Sequence, residues 1–187
     1  MKTLAVITLT ALFLTSATKI FAQDSDHDSH DISISIPDLA LLDLEGGTSI
    51  TLSPALPSEA GDPFSFTGAT DNSTWVNYSS IVPTGKARRV TAAITSGSVP
   101  AGLALKVTAG SYSGSGKGTL GTSAGQVTLS STAQDIITGI GSCYTGNGTS
   151  NGHNLTYALD LTSVDDYSQL EQTSATVTVT YTITDAE

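Results

Sequence analysis

Thr176-Val177-Thr178-Val179-Thr180-Tyr181-Thr182-Ile183-Thr184 is the stretch whose reading decides the fold. Side chains alternate faces along a strand, so Val177, Val179, Tyr181 and Ile183 point one way and the threonines the other. β-branched and aromatic residues fill the run, as a half-buried strand requires. The threonine row also resembles a hydroxyl ladder, but threonine is an ordinary residue on the wet face of a strand.

Working back from this strand, the same grammar repeats. Leu155, Tyr157, Leu159 and Leu161 alternate, as do Leu103, Leu105 and Val107, and Val90, Ala92 and Ile94. Thr74–Ile81, Ser49–Ser53, Phe64–Phe66 and Gln126–Ser130 read as shorter strands, and Leu39–Leu44 as an apolar segment. Between them lie turn signals: Gly46-Gly47, Pro83-Thr84-Gly85, Pro100-Ala101-Gly102, Asn147-Gly148 and Asn151-Gly152. Ile136, Ile137 and Ile140 form a further apolar patch. Gly110–Gly125 and Ser142–His153 read as two long loops, which would form a binding site if they met at one end of the domain. Ser163 caps a short helical turn carrying Tyr167 and Leu170. About nine or ten short strands with one helical turn and no full helix predict an all-β fold of two antiparallel sheets packed face to face. No fixed-period repeat is present.

The N-terminus reads differently. Lys2 followed by the apolar run Leu4–Leu14 and a small residue at Ala22 is the pattern of a secretory signal peptide over residues 1–22. Residues 23–31 carry Asp24, Asp26, His27, Asp28, His30 and Asp31 among serines, an acidic tail with no apolar residue. Their spacing matches neither the calcium-binding loop nor a closed zinc site. Residues 32–187 make one domain. The formal net charge is −10, which opposes binding to nucleic acid or anionic membrane, and no later stretch is apolar enough to span a bilayer. Cys143 is the one cysteine, so an internal disulfide is excluded. Its two readings are a small core side chain and a reactive or bridging thiol.

Few residues suggest chemistry. Ser111–Thr119 contains Gly-Lys-Gly-Thr, as phosphate-binding loops do, but Ser111 replaces the first glycine and no helix follows. His153 near Cys143 lacks an orienting third group. No carboxylate pair is spaced for catalysis. The expectation is a non-enzymatic protein without cofactor or metal. Lys86, Arg88 and Arg89 stand out on an acidic chain. They read either as docking charges for a neighbour's acids or as a solvated strand end, with Arg89 guarding an edge. Trp75 and Tyr144 are the candidate ligand platform, with burial in the core the competing reading for Trp75.

The alternating Ile32-Ser33-Ile34-Ser35-Ile36 after a polar tail, the signal-like start and the closing Val179-Thr180-Tyr181-Thr182 together resemble bacterial fimbrial (pilin) subunits and spore-coat-type secreted surface proteins. The likeness is one of layout. It implies an incomplete immunoglobulin-like sandwich, completed by a strand from a neighbouring subunit, with Ile32, Ile34 and Ile36 as the donated side chains. Two features depart from that pattern. The usual cysteine pair is absent, and the tyrosine expected beside the C-terminus lies at Tyr181. The tendency of consecutive elements to stay together instead favours pairing of Ile32–Ile36 inside its own domain. The function expected is a secreted or cell-surface structural subunit whose partners are copies of itself or other surface subunits. The alternative is a monomeric adhesive or carbohydrate-binding module with a polysaccharide ligand.

Overall fold

A computed structural model describes residues 26–47 and 49–186. The signal-like segment and Asp24 lie outside the described residues. The chain divides into an N-terminal unit ending at Ser35 and a second, Ile36–Glu187, that carries the strands found among the described residues. The strands are β1 (Leu39–Gly46), β2 (Thr70–Ile81), β3 (Arg88–Ser96), β4 (Leu103–Ser113), β5 (Lys117–Ser123), β6 (Gln126–Thr128), β7 (Gln134–Tyr144), β8 (Gly152–Leu161) and β9 (Thr178–Asp185). One 3-10 turn, Val164–Gln169, starts at Ser163, whose hydroxyl accepts from the Asp165 N–H.

All pairings are antiparallel. Their registers show how one hydrogen-bonded network becomes two layers. β1 pairs with β2 over residues 74–81 and β8 pairs with β2 over 70–76, so the two must flank β2 on opposite sides. β7 then takes over the β8 side at Ser79 and Ser80, through Tyr144 and Cys143. β7 in turn is flanked by β5 on one side and by β3 on the other. The result is one layer ordered β6-β4-β8-β2-β1 and another ordered β9-β3-β7-β5, joined at the β2–β7 corner. Between them lies a single core of Val76, Tyr78, Val90, Val107, Ile136, Ile137, Ile140, Leu155 and their neighbours. This is the all-β, sandwich-like architecture that the alternating pattern predicts.

Several boundaries differ from expectation. Gly110–Gly125 is not a loop: β4 runs on to Ser113 and β5 fills Lys117–Ser123. Glycines spread through this stretch hide its alternation. They are there because space demands it: a Cβ on Gly118, at φ +101°, would lie 2.2 Å from the Ser142 carbonyl oxygen. The isoleucine patch 136–140 belongs to a full strand, β7. Ser49–Ser53 forms no strand, yet Ile50 and Leu52 pack against the core. Phe64–Phe66 contributes only a bridge between Ser65 and Ala55. The segment Ile32–Ile36 joins no strand, contrary to the expectation of self-pairing.

Arg88 fastens one end of the sandwich. It shares the inward face of β3 with Val90 and Ala92 and is 4% exposed. Its Nε donates to Asp185 Oδ1 at 3.0 Å, and its two terminal nitrogens donate to the carbonyls of Leu39 (2.5 Å) and Ile81 (3.0 Å), Ser80 Oγ (3.2 Å) and Asp38 Oδ1 (2.6 Å). One side chain thereby links β1, β2, β3 and β9. Its five donors in a fixed fork suit this task better than a lysine would.

Replacing Arg88 by Met removes the charge and all five bonds while keeping the apolar stem. It should cost on the order of 3 kcal/mol, read as a lower urea midpoint. The Arg88 hydrogen bond and charge hold the Asp38 carboxyl below its usual range. Because that group's folded value is depressed, its contribution is complete above the ordinary carboxylate value, about 4, and fades as pH falls through the folded value below it. Acid titration followed by circular dichroism should therefore show stability falling below about pH 4 in the native chain, and less steeply in Asp38→Asn.

Candidate functional site

The surface features with functional promise sit on the edges and outer faces of the sandwich. Ile32, Ile34 and Ile36 are 74%, 86% and 75% exposed. Three isoleucines in that state leave several kcal/mol of burial unrealised, at roughly 1.5–3 kcal/mol each. They sit immediately before β1, which among the described residues pairs with β2 alone, its other edge without a ladder. Among the described residues β9 likewise pairs with β3 alone. Both edge strands face the core incompletely. Leu44 on β1 is 42% exposed although its register partner is the buried Val76. On the opposite layer Val177, Val179, Tyr181 and Ile183 are only partly buried. The Tyr181 hydroxyl meets that of Tyr157 on β8, a polar contact across the two layers. Burial raises the pKa of both phenols, so neither ionises at ordinary pH.

The three basic residues separate. Lys86 is exposed in the turn before β3. Arg88 is buried and its charge is engaged within the chain, so it is neither a docking charge nor a solvated one. Arg89 points to the opposite face, where its Nε lies 3.5 Å from Asp135 Oδ1 without forming a hydrogen bond. Because β3 lies between β7 and β9, Arg89 guards no edge.

Trp75 and Tyr144 share the outer face of the β2 layer but do not meet. Trp75 stands opposite Glu45 and Asn154, and Tyr144 opposite Ser79, four residues along β2 and so about 13 Å away. Trp75 is partly buried and lies outside the core cluster, contrary to the core reading. Tyr144, 51% exposed, lines a shallow cleft of about 350 Å³ with Leu41, Asp43, Asn77 and Ser79. Trp75 is not among its walls. The platform is therefore two separate aromatics on one face.

Cys143 and His153, the pair weighed for nucleophilic chemistry, both lie inside. His153 is fully buried: its Nδ1 donates to the Gly110 carbonyl at 2.8 Å, and its Nε2 lies 2.9 Å from the Tyr78 hydroxyl. The Tyr78 hydroxyl also reaches the Leu120 carbonyl. Burial, then the nearby Cys143 and Tyr112, push the Tyr78 pKa up. This buried polar knot holds β2, β4, β5 and β8 together, and every ring nitrogen has a partner. Nothing in the sequence distinguishes it, because each hydrogen-bonded pair within it is separated by more than thirty residues. Among the described residues no three His, Cys, Asp or Glu side chains converge as a metal site.

In comparisons with known proteins, no family model, no curated protein and no solved structure matches the chain.

Burial pushes the Cys143 thiol up to about 11. A thiol kept protonated and enclosed is a poor nucleophile. Aromatic disulfide reagents at pH 8 should leave it unmodified in the folded protein and modify one thiol per chain once urea unfolds it. Rapid labelling of the folded form would contradict the core placement.

Proposed function

We propose that this protein is a secreted or cell-surface structural subunit that assembles by β-strand addition, using Ile32–Ile36 as the donated segment. The observation that carries the reading is the state of those isoleucines: period-two, β-branched, without a strand partner and largely exposed. A segment of this kind is stabilised when its apolar side chains enter a neighbour's core and its backbone gains a ladder. The receiving surface we assign is the side of the sandwich flanked by β1 and β9. There, among the described residues, two strand edges are unpaired, and Leu42, Val179 and Ile183 pack against the core only partly covered. Exposed edges of this kind are usually blunted by charged side chains, proline or bulges; β1 (Leu-Ala-Leu-Leu-Asp-Leu-Glu-Gly) carries the acids Asp43 and Glu45 but no lysine, proline or bulge. The acidic 26–31 tail then acts as a soluble leader to the donated segment.

Electron microscopy and size-exclusion chromatography of purified protein test this directly. The native chain should form filaments or oligomers, and Ile34→Asp should yield folded monomers with an unchanged thermal midpoint. Deletion of residues 23–36 should behave the same way. Unfolding on that deletion, or a native chain that stays monomeric at high concentration, would overturn the proposal.

A further inference from the structure

A cleft of about 810 Å³ lies between the arm 55–68 and the outer face of β4 and β8. We infer that it is a binding site for a neutral saccharide, independent of the assembly surface. The arm is closed on itself by paired hydrogen bonds between Ala55 and Ser65, at 2.7 and 3.0 Å. It is fastened to the 3-10 turn where the Phe64 N–H donates to the Tyr167 hydroxyl and the two rings pack 6.3 Å apart. Phe64 and Phe66, both half-buried, and the 80%-exposed Leu56 form an apolar wall.

The floor is polar. Lys106 Nζ lies 3.1 Å from Asp160 Oδ2, and Gln126 lines the same cleft. Hydrogen-bond capacity identifies what this floor can take. An ammonium has three donors, and Asp160 uses one of them. Asp160 accepts from Lys106 and from the Leu161 N–H, leaving further lone pairs on both oxygens. Gln126 adds a donor and an acceptor. Free donors and acceptors side by side match vicinal hydroxyls, each of which gives and accepts.

The Lys106 and Asp160 charges cancel on the floor, and Asp62 on the arm adds one negative charge to the lining, so the cleft disfavours anions and fits a neutral polyhydroxyl ligand. Phenylalanine and proline walls suit the C–H faces of a pyranose. At Lys106 the β4 backbone is already paired on both sides, with Thr128 and Ala158, so the floor reads its ligand through side chains. The volume falls in the range of roughly 300–1,000 Å³ typical of small-ligand sites.

The test is calorimetric titration of the full chain with neutral hexasaccharides of glucose, mannose and xylose. At least one should bind saturably at a single site. The paired substitution Lys106→Gln with Asp160→Asn, which keeps side-chain shape, and Phe64→Ala should each weaken that binding by about tenfold or more. Ile34→Asp should leave it unchanged, which separates this site from the assembly surface. No binding by any of the three at about 10 mM would overturn the inference. So would binding that the Lys106/Asp160 pair does not affect while circular dichroism shows both proteins folded.

Discussion

The Arg88 guanidinium is the constraint on which the remaining geometry depends. A charge this deeply buried costs several kcal/mol of lost hydration and is tolerated only when every donor is met. Here two carboxylates and two strand-end carbonyls meet it. Those partners come from the start of β1, the end of β2 and the end of β9, so satisfying one side chain sets the position of three strand ends. Beyond that point, among the described residues, β1 is paired by β2 alone and β9 by β3 alone.

The core and the edges thus divide the work. The centre is densely paired, with Tyr78, His153 and Thr145 closing hydrogen bonds among buried neighbours and Tyr157 meeting Tyr181 across the layers. The margins are left unfinished, with half-covered leucines, valines and isoleucines. A rigid centre with incomplete margins can accept an added strand without unfolding, whereas a uniformly loose domain could not present a defined edge.

Much of the fold was legible in the sequence because one-sided burial imposes a period of two. The strands carrying Leu103–Val107, Val90–Ile94 and Val177–Ile183 follow directly from it. The sequence fails where something other than periodicity governs. Glycines enforced by close backbone contact at Gly116 and Gly118 made β5 look like a loop. Bulges in β7, where its register with β3 and β5 shifts, broke the alternation of Ile136, Ile137 and Ile140. Arg88 was legible in retrospect: it shares parity with Val90 and Ala92, so strict alternation places it inside despite its charge. Its partners Asp38 and Asp185 were not legible, since fifty and ninety-seven residues separate them from it. The exposed isoleucines could be found from sequence, whereas the edges that would receive them needed the strand order.

The same long separations govern how the domain can reach its native state. Adjacent strands are rarely adjacent in the chain: β3 pairs with β9 and β2 with β8. Each such pairing demands closure of a long loop before any stabilisation is gained, and topologies of this kind fold in milliseconds to seconds, against microseconds for local ones. The second layer cannot close until Asp185 and the strand before it are available to dock. With a lone, enclosed cysteine, no thiol exchange can trap or correct the intermediates along the way. The chain must search reversibly, and its slowest step is set by the order of its strands.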